Sequence, residues 1–174
     1  MLHISSKPSK RAKLVLFPKE NLRAIPFLDT DEKKTIQTKL DDGLKIIILN
    51  KALQTYILCA INVIDDKDKM LEQMRITGFN IHKMCKEAKE AEISLEMSGD
   101  IGKENLSALL LGIELSNYEF NKYKNKSKIS ILSIFIDPLF VDTELIDEIN
   151  IIRESVCYTK DLVNEPVSYL TAVQ

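Results

Sequence analysis

Apolar residues along the chain fall into two patterns: short continuous runs, and longer stretches with three-and-four spacing. The runs KLVLF (13–17), LKIIILN (44–50), TYILCAINVI (55–64), ISLEM (93–97) and KISILSIFI (128–136) predict strands. Pro18 stops the first and Asp137-Pro138 the last. The first three are dense in β-branched residues with little alternation, which predicts strands buried on both faces. Between the first two runs, DTDEKKTIQTKLDDG offers an Asp or Thr as N-cap, acids for the first turn and Gly43 for the C′ position, which predicts a short helix. A longer helix is expected from about Asp66 to Ala91, with Leu71, Met74, Ile81, Cys85 and Ala88 on its apolar face. GKENLSALLLGIELSNYEF predicts another, burying Leu106, Leu109, Leu110 and Ile113. The last helix begins near Asp142 or Thr143, with Leu145, Ile149, Ile152, Val156 and Val163 as a single seam. His3 reads as part of a mobile N-terminus.

Strands alternating with helices predict a layered α/β fold: a mostly parallel or mixed central sheet with helices on both faces, plus a long C-terminal connecting helix. Residues 1–140 form the α/β domain and 141–166 the connecting helix in this division. Residues 167–174 follow Asn164-Glu165-Pro166 and carry Tyr169, Leu170 and Val173 with nothing after them to cover them. Such an ending is expected at a junction with a further domain.

The 174 residues, 45% hydrophobic and 29% charged, can bury a core and are not those of a disordered chain. A net charge of −2 gives no general pull toward nucleic acid or anionic lipid. The one basic run, SKPSKRAK (6–13), is short, lacks aromatics and reads as a solvated face. Cys59, Cys85 and Cys157 are widely spaced, so reduced thiols are expected rather than a disulfide framework or zinc ribbon. No apolar run approaches the roughly 20 residues that span a bilayer, and no charged segment leads into an apolar one at the start. A soluble, cytoplasmic chain is the expectation.

Candidate chemistry is sparse. His3 and His82 are the two histidines, and His82 reads as a surface or boundary residue rather than a metal ligand. The five glycines form neither GxGxxG nor GxxxxGK[ST]. SGDIGKEN (98–105) could present amides to an anion, but reads first as a capped loop with Asp100 or Gly102 near the N-cap. The acids of DDKDK and DTELIDE lie at helix starts, where the macrodipole accounts for them. No serine elbow, Cys–His pair or HExxH is present. The residues alone give an α/β domain with no evident active site.

Two stretches add to this. DLVNEP (161–166), followed by YLT, resembles the segment that joins the two domains of the leucyl aminopeptidase (cytosol aminopeptidase) family. Upstream, LLGIELSNYEFNKYK (110–124) resembles that family's helix ending, with Gly112, Tyr118, Phe120, Tyr123 and Lys124 in matching places; Asp161, Leu162, Asn164, Glu165 and Pro166 match in the later motif. The chain departs from the pattern at Leu111, Ser116, Glu119, Asn121, Lys160 and Ala172. The tyrosines and Phe120 also have a packing reading at the end of a helix. Asp161 and Glu165 share a helix face near a C-terminus, a mild conflict that calls for a basic partner group, expected on the absent domain.

The resemblance implies an N-terminal, macro-like α/β domain whose connecting helix leads to a larger catalytic domain, residues 167–174 being its truncated start. This chain would hydrolyse nothing; the parent would be a metallopeptidase removing N-terminal amino acids from peptides. Its two divalent metal ions, zinc or manganese, would lie in the absent domain, with no cofactor here. Partners would be that domain and sibling subunits, in a hexamer in the family, the isolated chain being a monomer or weak dimer. Nucleic acid and membrane are not expected partners. Two other functions stay open: a macro-like module for ADP-ribose or another nucleotide, resting on SGDIGKEN, and an interaction domain docking through Leu145, Ile149, Ile152 and Val156.

Overall fold

The computed structural model describes residues 2–4, 12–51, 54–123 and 131–166. Strands β1 (Leu2–Ile4), β2 (Ala12–Pro18), β3 (Ile46–Lys51), β4 (Gln54–Ile61), β5 (Glu92–Met97) and β6 (Ser133–Ile136) form one sheet in the order β1-β6-β5-β2-β4-β3. Every pairing is parallel except β3 with β4, a hairpin. Helices α1 (Thr30–Asp41), α2 (Lys67–Glu87), α3 (Lys103–Ser116) and α4 (Thr143–Asn164) and a 3-10 helix (Lys19–Ala24) complete the described elements. The expected mixed sheet with helices on both faces is what forms.

The layers follow from strand alternation. Val15 and Phe17 of β2 and Leu58 and Ala60 of β4 meet Leu22, Ile36 and Leu40 from the 3-10 helix and α1. The intervening residues Leu14, Leu16, Ile57, Cys59 and Ile61 face the layer of α2, α3 and the start of α4. Burial there pushes the Cys59 and Cys85 thiols up to about 12, which keeps them neutral and unreactive.

Local signals set the helix ends. Asp29 accepts from the Glu32 amide at 2.8 Å while Glu32 accepts from the Asp29 amide, a capping box on α1. Gly43, at φ +91°, closes it as expected, the Leu44 amide reaching the Lys39 carbonyl at 3.0 Å. Helix α2 stops at Glu87, four residues short of expectation. Lys89 takes the left-handed conformation (φ 57°) and the Glu90 amide closes on the Cys85 carbonyl at 2.9 Å. A lysine does there what glycine did after α1, so the sequence carries no stop signal.

Two other expectations change. The run 44–50 forms the antiparallel edge strand, not a doubly buried one: Ile47 is buried while Leu44 and Ile48 are exposed. His3 is not in a mobile tail; it lies in β1, opposite Phe135 of β6, and the two rings stack at 5.2 Å. Three residues are too few to show a period. Lys124, most of the basic run 6–13, residues 128–130 of the last predicted strand and residues 167–174 lie outside the described residues.

Helices α2 and α3 make the tightest contact between elements. A Cβ on Gly112 would sit 2.2 Å from the Arg75 carbonyl oxygen, and one on Gly78 2.2 Å from that of Leu109. Both glycines are there so that the helix backbones can touch.

Candidate functional site

Of the resemblance residues, Tyr118, Phe120, Tyr123, Asp161, Asn164 and Glu165 come together where α4 ends, whereas Gly112 packs against Arg75 of α2. The loop after α3 carries Tyr118, Phe120, Lys122 and Tyr123, and the last turns of α4 carry Lys160, Asp161, Asn164 and Glu165. Tyr118 donates its hydroxyl proton to Asp161 Oδ1 at 2.8 Å and accepts from Asn164 Nδ2 at 3.1 Å. Lys160 Nζ stands 5.1 Å from the centre of the Tyr118 ring. Tyr123 donates to Glu165 Oε2 at 2.5 Å, and Lys122 pairs with the other oxygen of the same carboxylate. Phe120 packs edge-on against Tyr123, ring centres 5.8 Å apart. Segments some forty positions apart in sequence are thus tied by hydrogen bonds at separations of 42, 43 and 46.

The electrostatics follow from position. Two carboxylates, Asp161 and Glu165, sit one turn apart at the negative end of the helix dipole, where charge of that sign is disfavoured. The α3–β6 loop compensates. Hydrogen bonds from Lys122 and then Tyr123 hold the Glu165 carboxyl below its ordinary range. Partial burial, and further the Asp161 carboxylate, lift the Tyr118 phenol above its usual value. The basic partner expected on another domain is therefore Lys122 of this chain. Leu162 points outward (40% exposed), and Pro166, with no N–H, follows the Glu165 cap.

Beside this junction lies a second polar contact, between two residues that each read alone as an ordinary helical charge. Glu114 of α3 is 1% exposed, and Arg153 of α4 reaches it with Nε at 3.8 Å from Oε2. Asn117, at the end of α3, brackets Leu132 before β6: its amide donates to the Leu132 carbonyl at 3.2 Å and its oxygen accepts from the Leu132 amide at 2.9 Å. His82 is buried here rather than at the surface, bonded to Asn117, and desolvation lowers its pKa despite that bond. The expected seam on α4 divides: Leu145 and Ile149 are in the core, Val156 is half-buried, and Ile152 and Val163 are 37% and 79% exposed. Leu145 and Ile149 are thus already used within the chain.

SGDIGKEN forms the capped loop: Asp100 accepts from the Gly102 amide at 2.8 Å, and Gly102, at φ +79°, starts α3. With Phe140, Val141 and Asp142 it lines a cavity of about 410 Å³ at the C-terminal ends of β5 and β6, and Lys103 pairs there with Asp142 at 2.7 Å. Among the described residues no three His, Cys, Asp or Glu side chains are grouped to hold a metal ion, and no helix is long and apolar enough to cross a membrane.

The fold is an α/β domain whose last helix is tied at its end to the loop after α3. No family model matches it. Solved structures share the fold: a tomato leucine aminopeptidase variant (TM-score 0.65, 16% identity, covering 99% of this chain and 39% of that one) and the bottromycin maturation enzyme BotP (TM-score 0.61, 14% identity, 92% and 34%). In sequence it is similar to a probable cytosol aminopeptidase of Xanthobacter autotrophicus, 27% identical over 109 residues, and to one of Clostridium perfringens, 36% identical over 77 residues. Those matches cover 59% and 39% of this chain but only 22% and 16% of the relatives, so the chain corresponds to a minor part of each. The relatives similar in sequence are cytosol aminopeptidases, the family that the two motifs resemble, and the solved leucine aminopeptidase shares the fold.

Proposed function

We propose that the chain is the non-catalytic N-terminal domain of a cytoplasmic leucyl aminopeptidase-like metallopeptidase, working through domain packing and oligomer assembly. The observation that carries this is the junction: Tyr118 and Tyr123 of one resemblance motif bond to Asp161, Asn164 and Glu165 of the other and tie the last turns of α4 to the loop after α3. The outer side of α4, with Ile151, Tyr158, Leu162 and Val163 exposed, is the surface the catalytic domain would cover. Removal of N-terminal amino acids belongs to the parent protein. The described residues offer no donor set for its two divalent metals, so no step of that chemistry is assigned to them. The experiment is a peptidase assay of this chain with a leucine-blocked chromogenic substrate and added zinc or manganese. No turnover above buffer is expected; turnover abolished by a chelator would contradict the non-catalytic reading.

The cavity above β5 and β6 favours a second reading, a macro-like module that binds ADP-ribose or another nucleotide. Against it, Asp100 and Asp142 both line the cavity and Lys103 is tied to Asp142, a poor setting for phosphates. Calorimetry with ADP-ribose separates the two: saturable binding, lost on Gly102→Asp substitution, would promote this reading.

A further inference from the structure

The opposite face of the sheet carries a groove unrelated to the junction. It runs between the 3-10 helix and α1, floored by the buried Leu22 and walled by Arg23, Lys33, Lys34 and Gln37, with a volume of about 590 Å³. An adjoining hollow of about 560 Å³ shares Leu22, Arg23 and Gln37 and extends it past Lys19 and Glu20 to Asn62 and the exposed Val63. Four cations and one acid therefore line the two adjoining hollows in a chain whose net charge is −2. Part of that charge is compensated: Lys34 lies 3.8 Å from Asp31 and Lys19 3.2 Å from Asp41. Lys33 has no ion pair among the described residues; its ammonium donates to the Arg23 carbonyl at 2.9 Å, which holds it beside the groove. The Arg23 guanidinium has no partner among the described residues and is exposed. The fork of an arginine accepts a carboxylate bidentately, and a neighbouring ammonium strengthens that contact.

We propose that this groove binds an extended acidic peptide segment, its carboxylates on Arg23 and Lys33 and its aliphatic stems on Leu22 and Val63. Charge complementarity chooses an anionic occupant, and the two hollows adjoin and open to solvent, which leaves room for more than one residue of a peptide. Single-stranded nucleic acid fits less well, because no aromatic side chain lines the groove for a base to stack on.

The test is fluorescence anisotropy of labelled hexaglutamate against the chain, with labelled oligothymidylate in parallel. Saturable hexaglutamate binding is expected, weakening several-fold between about 50 and 300 mM salt and roughly tenfold in the Arg23→Glu, Lys33→Glu double variant. Lys83→Glu, on α2 across the sheet, should leave it unchanged. Should the double variant fold poorly, amide shifts at Leu22, Arg23 and Gln37 on titrating the wild-type chain locate the site independently. Absence of hexaglutamate binding, equal or tighter binding of oligothymidylate, or shifts confined to other faces would each overturn the proposal.

Discussion

Helices α2 and α4 are nearly equal in length, 21 and 22 residues, yet meet the body in different ways. Helix α2 buries one face along its whole course, from Met70 and Met74 through Ile81 to Cys85, although Ile76 and Phe79 are exposed, and it touches α3 backbone to backbone at two glycines. Helix α4 buries Leu145, Ile146 and Ile149 and then runs on with its apolar residues exposed, held by Arg153 and by the tyrosine–carboxylate junction. Apolar burial is non-directional and proportional to area, so it fixes α2 in place and supplies stability. Hydrogen bonds near the surface contribute little net free energy but are directional. A helix held by them keeps its orientation while leaving one face exposed.

The sharpest way to break the comparison is Gly112→Ala. The added methyl would collide with the Arg75 carbonyl at 2.2 Å and force the helices apart. A loss of about 3 kcal/mol is expected from denaturant midpoints, at the upper end for overpacking. Arg153→Met comes next. It leaves Glu114, 1% exposed, without its cationic neighbour, and about 2 kcal/mol should be lost, discounted because Arg153 is itself 26% exposed. A neutral outcome for Arg153→Met with a large one for Gly112→Ala would show that the Arg153–Glu114 contact does not anchor α4.

A smaller effect concerns pH. The folded-state pKa of His82 is depressed by burial, so below its unfolded value of about 6.5 the unfolded chain binds the proton more readily. Its contribution is therefore full above about pH 6.5 and is lost as pH falls toward the folded pKa. Denaturant midpoints between about pH 5 and 7.5 should show this slope in the wild type and not in His82→Gln. The smallest change in stability is expected for Tyr118→Phe, which removes the bonds to Asp161 and Asn164. Global unfolding should hardly move, while hydrogen exchange quickens at residues 160–165 and stays unchanged across α2. Equal protection in both proteins would mean the junction orients nothing.

The sequence made the interior legible where period and caps agreed. The doubly buried β2 and β4 showed as continuous apolar runs, and α1 announced both ends through Asp29, Glu32 and Gly43. The stop after α2 was not readable, because Lys89 adopts the left-handed conformation without being a glycine. The β3 run looked like an interior strand because edge position depends on topology, not on composition. The site was half legible. Motif residues could be named by resemblance, but that Tyr118 would meet Asp161, or Lys122 answer Glu165, depends on a loop and a helix end meeting across 43 positions. Glu114 and Arg153 gave no signal, since each reads alone as an ordinary helical charge.

The central claim is that this domain is built to be joined to a catalytic one along α4. Reading the coding sequence past the codon for Gln174 tests it most directly. The account predicts an open frame that continues into a second domain bearing lysine and carboxylate metal ligands. A stop codon immediately after Gln174 would contradict it, leaving a free-standing domain whose exposed α4 face must serve something else.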